Sequence, residues 1–271
     1  MIRPTPAIVA QSAVRRLPRL ALILLCMAYV LPGYFGREPW KNADITAFGY
    51  MLELSGTPMG PTWLAPSIMH LEPEVDALLP YWLGAWAIKL APAWLAPDFA
   101  ARLPFGLMLV AVLVATWYGI YHLARSAGAQ PVAFAFGGEA EPADYARAMA
   151  DGGLLGLIGC LGLAQFSHET TPALAQLCFT ALTFYGLSAL NRALAPPLVA
   201  VGVGLVGLTL SGGPAVAALL GVGGALHGLI DRDDAQPDDD QRRWRVAGLL
   251  LATALAATLA TALGLWQWRL S

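Results

Sequence analysis

Three polar groups in this otherwise apolar chain have residue types that could do chemistry. The first is Asp44, in the run DITAFGYMLEL from Asp44 to Leu54. A carboxylate there can act as a general base, or orient a hydroxyl or phosphate, if its surroundings tune its proton affinity. It can equally cap a helix start. The second group is Glu72, Glu74 and Asp76, with His70 nearby. Their alternation puts them on no common helix face. Carboxylate oxygens suit a hard divalent cation or a phosphate-linked site, and the same acids also read as a solvated loop. The third is His168-Glu169, inside a tight turn from Ser167 to Pro172 between two apolar runs. A charged residue at the end of a membrane span is often functional. It can also be no more than a polar hairpin.

The elements that must position these groups read as membrane helices. The chain has 271 residues, 57% of them hydrophobic and 13% charged, with mean hydropathy +0.59. A soluble domain is about 25% charged, so composition places the chain among polytopic membrane proteins. The net charge of −2, with no basic patch interleaved with aromatics, gives no sign of nucleic acid as a partner. Cys26, Cys160 and Cys178 lie in apolar runs with neither metal-site nor disulfide spacing.

Hydropathy predicts an all-α transmembrane bundle of about seven spans, near Leu20–Phe35, Leu103–Leu123, Leu154–Phe166, Ala173–Leu190, Leu198–Leu210, Ala215–Ile230 and Val246–Trp266. The first, preceded by Arg15, Arg16 and Arg19, reads as a signal anchor, because no small-x-small cleavage site follows it. Residues 36–102 form the largest loop. Within it, Asp44–Leu54 and the aromatic-rich Asp76–Leu95 read as helices lying at the interface. Residues 124–151 form a second loop, with a short surface helix over Pro142–Ala150. Residues 231–245 form a third, solvated one.

Arginines concentrate in the N-terminus and the loops holding Arg125, Arg192 and Arg242 to Arg245. The positive-inside rule therefore makes the N-terminus cytoplasmic. The opening loop, the His168 turn and the Ser211-Gly212-Gly213-Pro214 turn then share the outer side and are expected to converge on one cavity. His122 and His227 fall near cytoplasmic span ends and read as local hydrogen-bonding groups. The glycines of spans five and six contain no phosphate-loop pattern and fit close helix packing.

A longer pattern runs through these elements. Trp40, Asp44, Thr46 and Phe48 give W-x-x-x-D-x-T-x-F. Leu52, Leu54 and Gly56 end the following helix. Pro80 to Leu90 read P-Y-W-L-G-A-x-x-I-K-L, Phe99 to Pro104 read F-A-A-R-L-P, and Leu210 to Pro214 read L-S-G-G-P. In order and spacing this resembles the N-terminal half of the GT-C fold membrane glycosyltransferases. The nearest group is the lipid A aminoarabinose transferase-like enzymes, with the protein O-mannosyltransferases (glycosyltransferase family 39) further off. Ile45 stands where that group has a second acid, and Gly212 where it has a lysine.

The resemblance implies a bacterial inner-membrane enzyme that moves a sugar from a polyprenyl-phosphate donor to a lipid or protein acceptor on the periplasmic side. It implies Asp44 as the catalytic residue, with Glu74, Asp76, His168, Glu169, Tyr81 and Arg102 around the substrates and a divalent cation as a candidate cofactor. Members of the group are about twice as long, so a shortened relative or a fragment is expected. The rival expectations are a non-catalytic relative that binds a polyprenyl lipid or a partner subunit, and a small transporter. The transporter would want ionisable residues deep in the spans, and the later spans have almost none.

Overall fold

The computed structural model describes residues 8–35, 38–39, 42–160, 163, 166, 168–230 and 239–266. Trp40 of the loop pattern, Ser167 of the turn and residues 231–238 of the acidic loop lie outside them. Among the described residues the protein is all-helical, with nine α-helices, short 3-10 turns and no strand. The helices are α1 (Arg19–Val30), α2 (Asn42–Gly56), α3 (Leu79–Leu90), α4 (Pro97–Ala124), α5 (Pro142–Ile158), α6 (Pro172–Ala189), α7 (Ala195–Leu210), α8 (Pro214–Ile230) and α9 (Asp239–Ala262).

Proline sets most of the starts. It occupies the first or second position of α3, α4, α5, α6 and α7 and opens α8. Its fixed φ suits the first turn, and its missing N–H costs nothing there. Pro80 is therefore a start signal for α3. Pro92 marks the other end: Ala91, the residue before it, is already extended, as steric conflict with the following proline ring requires. The interfacial helix expected over Asp76–Leu95 is shortened at both ends for this reason.

Two expectations need correction. The surface helix over Pro142–Ala150 and the start of span three are one continuous helix, α5. Gly152 and Gly153 do not break it, because a mid-helix glycine costs only about 1 kcal/mol. Gly153 also lets α5 close on α4: a Cβ there would stand 2.2 Å from Cδ1 of Ile120. Likewise, the C-terminal part of the 231–245 loop is helical, since α9 begins at Asp239. Arg242 explains the extension. Its guanidinium donates to the carbonyl oxygens of Gly228 and Leu229, which are among the last carbonyls of α8 and have no partner within their own helix.

Two helices, Pro97–Ala124 and Asp240–Ala262, are long and apolar enough to cross a membrane. Arg19–Gly33, Ala195–Leu210 and Pro214–Ile230 are apolar but shorter. Sixteen residues of helix reach about 24 Å, against a hydrocarbon core of about 30 Å.

The largest core cluster joins α1 to α4 with α6, through Val30, Met51, Tyr81, Phe105, Leu109 and Leu174. A second joins α7, α8 and α9 with the end of α6, through Leu190, Val201, Leu205, Ala217 and Leu249. Phe179 of α6 packs against both. A small third cluster of Leu78, Ala260 and Leu265 brings the end of α9 to the start of α3.

Candidate functional site

Asp44 is the third residue of α2, in its first turn and past the cap position. It is 1% exposed. Its Oδ1 accepts two bonds from Thr170, from the backbone N–H and from Oγ1, each at 2.8 Å. The reading of Asp44 as a helix cap gives way to one in which it ties the opening loop to the His168 turn. Thr170 was not singled out in sequence. The only hint was its place in a threonine pair just before the proline that starts α6.

The rest of that turn is enclosed as well. Glu169 is 1% exposed and His168 8%. The Nε2–H of His168 donates to the carbonyl oxygen of Tyr29 at 2.9 Å, and a ring nitrogen that faces a carbonyl must carry the proton. The imidazole also lies 5.4 Å, centroid to centroid, from each of the rings of Tyr29 and Tyr34. Gly33 makes room for it: a Cβ there would fall 1.7 Å from the imidazole Cδ2. His168 thus anchors the turn to the end of α1.

The second group of predicted residues gathers around a tyrosine pair. Tyr50 of α2 and Tyr81 of α3 are 5.3 Å apart, ring to ring. Burial raises the pKa of the Tyr81 hydroxyl above its ordinary 10.0, and Tyr50, Asp76 and Glu74 add to the effect. Tyr50 is raised too, by burial first and then by Glu74 and Glu72. Glu72 and Asp76 line a cavity of about 200 Å³ with Leu64, Pro66, Leu263 and Leu265. Glu74 is exposed beside it. Among the described residues no three His, Cys, Asp or Glu side chains are placed to hold a metal ion. The hard-cation reading of this acidic run is therefore not met. Glu72, Glu74 and Asp76 lie along a bent loop that does not bring three such ligands to one point.

Arg102 lies in the second turn of α4, 3% exposed, with its guanidinium 3.7 Å from Asp98. That is an ion pair beyond hydrogen-bonding distance. Phe99, one turn away, meets Phe35, five residues past the end of α1.

The three polar turns do come together at one end of the bundle. The Leu78 N–H donates to the Leu210 carbonyl at 2.8 Å. Gln176 of α6 donates to the Ser211 carbonyl at 2.8 Å. Gly212, in the left-handed region at φ +85°, packs so close to Val75 and Asp76 that a Cβ would stand 2.6 Å from a Val75 methyl. Gly212 thus meets both a backbone and a packing demand.

Beside this pole stands an aromatic hairpin. The indole of Trp82 donates to the Trp63 carbonyl at 2.7 Å. Trp63 and Trp86 stack at 6.1 Å. Lys89 donates to the Thr57 carbonyl and lies 5.0 Å from the centroid of the Trp63 ring. Its charge is spent on the α2–α3 connection.

Comparison with known proteins finds no matching family model, no matching curated protein and no matching solved structure.

Proposed function

We propose that the chain is an integral membrane protein of the GT-C type, with about seven spans, that transfers a sugar from a polyprenyl-phosphate donor at the pole where its three polar turns meet. The membrane reading is supported by the outward faces of its helices. Leu107 of α4, Leu219 and Ile230 of α8 and Leu251 of α9 are each more than 70% exposed. Side chains this apolar and this exposed suit a lipid surround. The shorter helices would cross where snorkelling side chains or a thinner bilayer meets them.

The observation that carries the glycosyltransferase reading is the opening loop's contact with both other polar turns, through bonds that span 126 positions from Asp44 to Thr170 and 132 from Leu78 to Leu210. In the reaction, the hydroxyl or amine of a lipid or protein acceptor attacks the anomeric carbon of the donor. The bond to the polyprenyl phosphate breaks, and the phosphate leaves with its electron pair. Asp44 orients the acceptor and takes its proton, with its carboxylate held by Thr170. Replacing Asp44 by Asn should lower transfer from a radiolabelled polyprenyl-phosphate sugar in membranes by about 10²-fold or more, with the melting temperature read on the same protein. Undiminished transfer would remove Asp44 from the chemistry.

One observation favours a second reading. At 1% exposure, Asp44 meets an acceptor only after the turn opens, so the Asp44–Thr170 pair also fits a non-catalytic scaffold that binds a polyprenyl lipid. In that case the wild-type chain binds the lipid without any transfer, and Asp44→Asn changes stability alone.

A further inference from the structure

At the opposite pole, the ends of α6 and α8 and the start of α9 enclose a cavity of about 340 Å³. One side of it is apolar, built from Leu187, Leu219, Leu220 and Leu249, and the other holds Asn191, His227, Arg242 and Arg245. Among the described residues, no acidic side chain lines it.

The two arginines differ in what they already do. Arg242 spends its guanidinium on the carbonyl oxygens that end α8. Arg245 is 8% exposed and donates from one terminal nitrogen to Asn191 Oδ1 at 3.1 Å, while its Nε is buried without a hydrogen-bond partner. A buried guanidinium donor left unmatched is costly. It is the kind of group that an incoming oxyanion satisfies. Gly223 keeps the cavity open, since a Cβ there would meet nothing within 4 Å.

We propose that this cavity binds an anionic phospholipid, with the phosphate on Arg245 and an acyl chain along Leu187, Leu219, Leu220 and Leu249. The proposal rests on the membrane reading above. It concerns a site at the far end of the eighteen-residue α6, a helix about 27 Å long, from the turn that holds Asp44. Arginine is suited to the phosphate, and the inner leaflet, where the basic loops are expected, is where anionic lipids concentrate.

The test uses the full chain in detergent and in nanodiscs, of phosphatidylcholine alone or with phosphatidylglycerol, with retained lipid counted by native mass spectrometry. Phosphatidylglycerol should be retained selectively by the wild type. Arg245→Gln should weaken retention at least tenfold. Gly223→Leu, which fills the cavity and improves helix propensity, should do the same with the fold intact. Arg243→Gln removes an equal charge from a side chain that is 81% exposed and should leave retention unchanged.

Equal loss in the Arg243 and Arg245 variants would reduce the effect to general charge attraction and overturn the site. Inorganic phosphate competing as well as the lipid would make free phosphate the ligand and overturn the acyl-chain assignment. Wild-type protein absent from the membrane fraction would sink the membrane reading itself. Membrane-embedded protein with unaltered retention in both pocket variants would sink only this site.

Discussion

Asp44 and Asp151 show how much a single carboxylate can hold in this chain. Each accepts two hydrogen bonds from residues more than 30 positions away. Asp151, on α5 and 5% exposed, takes the Trp117 indole N–H at 2.8 Å and the Leu17 backbone N–H at 3.0 Å. Asp151→Ala should cost about 2–3 kcal/mol, because it leaves two donors unmatched, as read from thermal unfolding in detergent. Tyr81 gives a pH signature. Its folded-state pKa lies above 10.0 through burial, so folding favours the neutral phenol. That contribution is complete below the unfolded pKa and declines as pH rises through the folded one. Stability should therefore fall above about pH 10, and Tyr81→Phe should flatten the decline. The sequence showed Asp44 and His168 as candidates but not their partners. Thr170, Tyr29 and Asp151 gain their roles from contacts over 126 to 139 positions, a separation that leaves no trace in local spacing.

At the scale of helices, the legible boundaries were those marked by Pro or Gly. The spans expected at Ala173–Leu190, Leu198–Leu210 and Ala215–Ile230 fall within three residues of α6, α7 and α8. Where charged residues and glycines continue a helix instead of ending it, as in α5 and α9, hydropathy placed the edge seven to twelve residues late. Glycine spacing also decides how α6 and α7 pack. A Cβ on Gly204 would stand 2.3 Å from Thr183 Oγ1 and 3.0 Å from backbone atoms of α6, whereas one on Gly202 would meet nothing within 4 Å. Gly204→Ala should destabilise by about 1–3 kcal/mol through overpacking. Gly202→Ala, two residues away, should stabilise by up to about 1 kcal/mol through helix propensity. Melting temperatures of the pair make the comparison, and a matching loss in both would contradict this packing.

For the molecule as a whole, the two poles differ in character: the Asp44 pole carries the acidic run Glu72, Glu74 and Asp76 beside Trp63, Trp82 and Trp86, and the other carries Arg125, Arg192, Arg242 and Arg245. The membrane reading turns that difference into topology. A cysteine at Glu74, which is exposed at the Asp44 pole, should react with a membrane-impermeant maleimide added outside intact cells. One at Trp244, 68% exposed at the arginine pole, should react only after permeabilisation. The native Cys160, also exposed, is replaced by Ala in both. The reversed pattern would invert the orientation and place Asp44 away from any periplasmic acceptor.

The aromatic socket that receives His168 also sets an order in time. The bonds that seat α1, Tyr29 with His168 and Leu17 with Asp151, join residues 139 and 134 positions apart. At ribosomal speeds of about 5–20 residues per second, the first helix waits about 7–28 s for its partners to be made. Of these elements, α1 is made before its partners and is among the last to be seated. A nascent chain stalled before residue 168 would leave α1 without its socket, open to quality-control proteases.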